Sequence, residues 1–281
     1  MTREIRGPIE AMWRRHGQLQ ARSFELDAFG QAAAPVRVFD DFKVGGDPFA
    51  PHPHAGFSAV SYVFEDSAGR LRSRDSLGGD YVVGAGGIVW SQAAHGMMHE
   101  ELPADLGQEI HGLQLFVNLG AKAKQLPARV FHADGPQVPV WRDDAGNSVR
   151  VAAGQFAGLS SPVQPAEPCD LLDLHIVTGL DYDVAEGRNA FIYCESGSCR
   201  IDAGTASVMV SSGQAMAIGG AGPIAFTAES EARIVLVSGL DLREPIVAHG
   251  PFIMNSADGI REAISRFERG EMGKLPKWNA T

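Results

Sequence analysis

Apolar residues in this chain come in short runs. Residues 59–64, 81–83, 88–90 and 113–117 in the first half are rich in β-branched and aromatic side chains, as are 171–177, 190–193, 207–210, 224–227 and 234–237 in the second. Glycine pairs at Gly45-Gly46, Gly78-Gly79, Gly86-Gly87 and Gly219-Gly220 punctuate them. Short strands broken by glycine turns at roughly ten-residue spacing are the pattern of an antiparallel sandwich or barrel. The chain reads as all-β. One stretch has a helical period instead: Ile260, Ala263, Ile264 and Phe267 fall at i, i+3, i+4 and i+7, with Ser256 placed to cap the start and Gly270 to end it. This predicts a short C-terminal helix that packs on the outside of a barrel and carries no chemistry.

The strands fall into two blocks. Between them, residues 120–165 contain Pro127, Pro136, Pro139 and Pro162 and few long apolar runs. That stretch reads as a linker plus the first strands of a second domain. The predicted division is 1–125 for an N-terminal barrel and 126–281 for a C-terminal barrel that includes the helix. Residues 81–90 and 208–217 both read strand, small-residue turn, strand, which agrees with an internal repeat.

Chemistry concentrates in the first block. In Pro51-His-Pro-His-Ala-Gly56 an extended backbone points His52 and His54 to the same side, and Pro53 places the pair at a strand start or an edge. His99 and Glu101 form a second same-side pair. Three imidazoles and a carboxylate are a donor set for a borderline divalent transition ion: iron, manganese, nickel, copper or zinc. Glu100 alternates to the opposite face and reads as a solvated surface carboxylate. Met97, Met98 and Phe57 adjoin the donors and are candidates to line an apolar slot, although Met97 and Met98 face opposite ways. The second block has no such set: His175 and His249 are isolated, and the Cys194/Cys199 spacing is not a typical zinc spacing.

Composition narrows the function classes. The 281 residues, 44% of them hydrophobic, suffice for one large or two ordinary domains. With 34 acidic against 24 basic residues the net charge is −10, which excludes nucleic-acid binding by general phosphate attraction. Cys169, Cys194 and Cys199 read as reduced thiols of a cytoplasmic protein. No apolar run approaches the ~18 residues of a membrane span, and the N-terminus lacks the apolar core of a secretory signal. Neither a membrane nor a nucleic acid is an expected partner.

The chain resembles the pirin family, two-barrel members of the cupin superfamily. The resemblance is carried by Pro51-His-Pro-His-Ala-Gly-Phe57, Arg74-Asp-Ser-Leu-Gly78, the stretch from Trp90 to Glu101, and Gly112-Leu-Gln-Leu-Phe-Val-Asn118. Gly250-Pro-Phe-Ile-Met-Asn255 and the helix ending in Arg269-Gly270 match as well. It implies a bicupin of two antiparallel jelly-roll barrels, a metal-binding N-terminal one and a metal-free C-terminal one. The implied cofactor is a single metal, usually iron as Fe(II), on His52, His54, His99 and Glu101. Two departures stand out. Ser58 replaces an acid common after the first motif, and Ala94-His95-Gly96 replaces the usual Gly-Arg-Gly, so His95 is a candidate outer donor, substrate contact or surface residue. The family also implies an oxidoreductase reading: dioxygenation of a flavonol such as quercetin, with Glu101 as base and dioxygen as second substrate. The alternative it implies is an iron-dependent, redox-responsive regulator that binds a protein partner without catalysis.

Overall fold

The computed structural model describes residues 3–46, 50–105 and 107–278. It divides into two compact units that interleave in sequence. One contains the chain up to Trp13, Arg22–Phe39 and Gln137–Leu242; the other contains Arg14–Ala21, Asp40–Pro136 and the chain from Arg243 onward. A single cut at 125/126 therefore does not describe the chain. Strand Glu4–Glu10 pairs antiparallel with Gln214–Gly219 and completes a sheet of the 137–242 unit. The terminal helix, expected with the second barrel, belongs to the 40–136 unit.

In the 40–136 unit one sheet has the order His52–His54, Met97–Pro103, Leu71–Asp75, Asp80–Val83. In a second sheet Arg129–Ala133, Ile88–Gln92, Phe57–Val63, Ile110–Asn118 and Val36–Val44 are successive neighbours. Phe57–Val63 is buried at every position, the reading expected of a strand covered on both faces. Val63, Leu71, Val83, Val89 and Ile110 form a buried apolar cluster inside. On the same inner face Ser61 introduces a polar contact, its hydroxyl donating to Glu101 at 2.7 Å.

The 137–242 unit is built on two long strands, Arg188–Ala203 and Gly222–Leu240, paired along their length with register shifts between Cys194 and Cys199. The predicted runs 224–227 and 234–237 are the two ends of one strand. Val149, Leu172, Ile192, Ile201, Ile224, Phe226 and Leu236 belong to its large apolar core.

The helix runs Ala257–Glu268, with the Ser256 side chain accepting from the Gly259 N–H at 3.1 Å and Gly270 at φ +76° just past its end. Ile260 and Ala263 pack with Ala55, Phe252, Met254 and Met272. Phe267, expected on the buried stripe, is 40% exposed, and Arg266 is buried instead. The reason is polar: Arg266 Nη2 donates to the His95 carbonyl at 3.0 Å, and Nη1 lies 3.3 Å from Glu262. The helix braces the turn that leads into the His99 strand. No helix among the described residues is long and apolar enough to cross a membrane.

Candidate metal centre

His52 and His54 lie on the edge strand of the four-stranded sheet, so Pro53 removes no ladder hydrogen bond the sheet needs. Met97–Pro103 pairs antiparallel with it, placing Met97 opposite His54 and His99 opposite His52. Alternation then puts Met97, His99 and Glu101 on the same face as the two histidines. Gly56, which ends the motif, has φ +88°, and a Cβ there would run into the Ile253 carbonyl. That close approach docks the Phe252–Met254 strand beside His54, with Ile253 N–H donating to the Ala55 carbonyl at 3.0 Å.

The three imidazoles form a nearly equilateral triangle, with ring centroids 4.7, 4.7 and 4.6 Å apart. One ring nitrogen of each lies within 4.8 Å of the others. The Nε2 atoms of His52 and His99 face each other at 3.2 Å. Two lone pairs at that distance repel unless a proton or a cation sits between them. On the far sides of two rings, His52 Nδ1 lies 2.9 Å from the Ala50 carbonyl and His54 Nδ1 3.4 Å from that of Pro251. An Nδ1–H donated outward leaves the Nε2 lone pair for the centre.

The electrostatics agree. Burial, then the neighbouring His52, pushes His54 down to about 3, against the opposing Pro251 carbonyl. Burial, then His54 and His52, holds His99 well below the usual histidine range. Both rings are neutral at pH 7, the form that ligates metals.

Glu101 follows two residues on, about 7 Å along the strand, and is not in the group of donors within 4.8 Å of one another. Its Oε2 accepts from the Ser61 hydroxyl at 2.7 Å, and Ser61 Oγ also lies 3.1 Å from Gln114 Oε1. Oε1 is buried without a hydrogen-bond partner. Burial raises the carboxyl to about 7, with the Ser61 bond opposing. Three converging ring nitrogens and an orphaned carboxylate oxygen fit a divalent transition ion.

The other singled-out residues are placed as follows. Phe57 is fully buried, its ring 4.9 Å from His54 and 4.4 Å from Phe116, so it wedges a donor ring in place. Met97 is buried on the inner face. His95 is not among the converging donors; its backbone holds Leu126 and Arg266, and its Nδ1 is buried without a partner. Glu100 is not a solvated carboxylate: it is 1% exposed and paired with Arg74 at 2.8 Å. The outer face of this sheet is covered by residues 276–278, where Arg74 also donates to the Pro276 carbonyl and Trp278 lies over Arg72.

Sequence reading missed Ser61, Gln114 and Phe116. The available signal was Ser61, a serine that alternation places on the inner face of the buried strand Phe57–Val63. His249 lies in the 40–136 unit rather than with the second block. In the 137–242 unit His175 is bonded to Glu231 at the surface, and burial raises Cys169, Cys194 and Cys199 to about 12, 12 and 11, so these are inert thiols.

A family model described as Pirin matches residues 9–117, and one described as the Pirin C-terminal cupin domain matches 171–273. A Pseudomonas aeruginosa protein named "Putative quercetin 2,3-dioxygenase" is 33% identical over 238 residues, 82% of this chain and 81% of its own. Human pirin is 32% identical over 245 residues, 85% of this chain and 83% of its own. A solved structure described as quercetin 2,3-dioxygenase from Acinetobacter baumannii superposes with a TM-score of 0.84 over 98% of this chain and 100% of that one, at 24% identity. A bacterial pirin from Escherichia coli in complex with nickel(II) gives 0.65 over 85% and 99%, at 19% identity. At those identities the two structures establish the shared bicupin fold alone. With family models covering both halves and relatives matching most of its length, the chain belongs to the pirin family.

Proposed function

We propose that the 40–136 unit holds one divalent metal, Fe(II) in the working protein, and catalyses dioxygenolytic opening of a flavonol such as quercetin. The carrying observation is the triangle of three imidazoles beside a buried carboxylate oxygen that has no partner. In this reading His52, His54 and His99 supply the nitrogen donors and Glu101 the oxygen donor through Oε1. When bound, the metal supplies Lewis acidity and redox chemistry towards dioxygen.

The chain's own residues do the rest. Glu101, deprotonated when it ligates, is the buried carboxylate placed to accept the proton of the flavonol 3-hydroxyl. Ser61 anchors Oε2 and leaves Oε1 without a protein partner, free to act as the oxygen donor. Phe57 holds His54 in place, and Met97 offers apolar surface on the inner face to a flat aromatic ring. His95, whose backbone carries the turn into the His99 strand, acts as a support rather than a ligand. Overall, both atoms of dioxygen enter the opened product, a depside, and one ring carbon leaves as carbon monoxide. The name of the Pseudomonas relative supports this substrate class. Three buried, unpaired thiols suit a reducing cytoplasm.

The test is anaerobic iron loading followed by oxygen uptake with a flavonol panel. The expected result is one dioxygen consumed and one carbon monoxide released per flavonol, with Glu101→Gln keeping metal but losing turnover. A metal-loaded protein that opens no flavonol overturns the substrate assignment. A partner captured differently by its reduced and oxidised forms, without turnover, would identify the iron-responsive regulator instead.

A further inference from the structure

The Arg74-Asp-Ser-Leu-Gly78 motif has no part in the donor set. In the structure Asp75 ends strand Leu71–Asp75 and lies directly opposite His99. His52 is the partner of His99 on its other side. His99 is thus flanked within the sheet by a histidine on one edge and an aspartate on the other. Directly opposed residues in an antiparallel pair face the same side, with Cβ atoms ~4.5–5.5 Å apart. The Asp75 carboxylate and the His99 ring therefore share the buried inner face.

The carboxylate is held still. Asp75 Oδ1 accepts the backbone N–H of Leu77 at 2.7 Å and of Gly79 at 3.0 Å. Gly79 makes room for it, because a Cβ there would collide with Asp75 Oδ2 and with the ring edge and hydroxyl of Tyr81, which lies beside Oδ2 without a hydrogen bond to it. Oδ2 is buried with no hydrogen-bond partner, and so is His99 Nδ1. Two unpaired buried polar atoms on opposed residues are a costly coincidence unless they serve each other. His99 Nε2 is already turned towards His52, so Nδ1 must carry the ring hydrogen for Nε2 to offer a lone pair to a metal.

We infer that Asp75 is the positioning residue of His99. Its Oδ2 accepts the Nδ1–H, directly or through one water, and thereby fixes the tautomer and ring orientation that aim Nε2 at the metal. This inference rests on the metal-centre reading above.

The test is Asp75→Asn in the full chain. The amide oxygen keeps both turn bonds, while the NH2 that replaces Oδ2 cannot accept from an imidazole N–H. Titration with Co2+, followed by its absorption bands, is expected to show about 10- to 100-fold weaker binding than wild type. The melting temperature of the metal-free variant should match wild type. In the cobalt-loaded proteins, the variant should lack one exchangeable, hyperfine-shifted N–H proton signal that wild type shows. Equal Co2+ affinity, or a metal-free protein destabilised in proportion to the lost affinity, overturns the inference. His99→Ala separates the two readings. Wild-type Co2+ affinity in that variant sinks the metal centre itself, whereas lost affinity there with unchanged affinity in Asp75→Asn sinks only the role of Asp75.

Discussion

The two units are wound alike and filled differently. In the 40–136 unit, Phe57–Val63 and Leu71–Asp75 are separate strands; in the 137–242 unit the single strand Arg188–Ala203 takes both places, passing through the bulged stretch Cys194–Cys199. Met97–Pro103 and Ile110–Asn118 correspond in the same way to the two ends of Gly222–Leu240. Glu4–Glu10 takes beside Gln214–Gly219 the place that Arg129–Ala133 takes beside Ile88–Gln92. His52–His54, pairing with the Met97 strand, has its counterpart in Gly179–Val184, pairing with the first half of Gly222–Leu240. Where the first unit turns His52, His54 and His99 inward, the second has Leu180, Tyr182, Ile224 and Phe226 in its apolar core, with the Tyr182 hydroxyl donating to Asp170 at the rim. The winding is common to both, and what separates a candidate centre from a packed core is the residue type at a few inward positions.

The largest effect that can break this comparison is loss of a donor. His99→Ala should weaken metal binding more than about 100-fold, since even outer partners of ligands are worth 10- to 100-fold. Tyr182→Phe, at the counterpart strand, should leave metal content unchanged. Elemental analysis of both purified proteins decides it, and metal retained in the first or lost from the second would void the assignment of unequal roles.

Next in size is the pH response of metal binding, which belongs to the unit holding the three converging histidines. Glu101 is raised on folding, from an ordinary 4.5 to about 7, so its protonated form contributes stability below pH 4.5 that is lost as pH rises through 7. His54 and His99 are lowered, so their contribution has the opposite sign and is lost as pH falls from 6.5, for His54 towards about 3. In metal-free protein these trends offset one another. Metal uptake separates them: the two buried rings are already neutral, so Glu101 must give up its proton. The apparent affinity should rise up to about tenfold per unit from pH 5 to 7, and Glu101→Gln should flatten that slope. An unchanged slope in the variant would assign the released proton elsewhere.

A smaller effect sharpens the role of the inner wall. Ser61→Ala removes the hydroxyl that holds Glu101 Oε2, and should weaken metal binding about tenfold. Ser61→Thr keeps the hydroxyl and should restore most of it. Isothermal titration of the two variants, with a Thr protein no better than Ala, would discard the anchoring role.

The donors were legible because strand alternation is local: two residues apart means the same face, whatever the rest of the chain does. The interleaving of the units was not. Glu4–Glu10 is largely polar, and nothing in it says which distant sheet edge it completes. Gly222–Leu240 was split in two because Glu229 and Glu231, exposed at its middle, interrupt the apolar pattern. Alternation does point Glu100 away from the donors, opposite Arg74 on the outer face. What covers that face is residues 276–278, nearly 180 residues later, a contact no local pattern encodes. Ser61 was lost in a run that reads as continuous apolar core.

That covered outer face supplies the smallest test. Trp278 lies over Arg72 at 3.9 Å and Arg74 at 4.9 Å, while Arg74 pairs with buried Glu100. Trp278→Ala removes a cation–π contact worth ~0.5–1 kcal/mol. The melting temperature should drop by about 2–4 °C at most, with the buried Arg74–Glu100 pair still in place. Metal affinity should not move, because Trp278 touches the face that His99 and Glu101 turn away from. A tenfold loss of affinity in Trp278→Ala would mean that the two faces of this sheet are mechanically coupled. The tail would then have to be counted as part of the centre rather than as its outer cover.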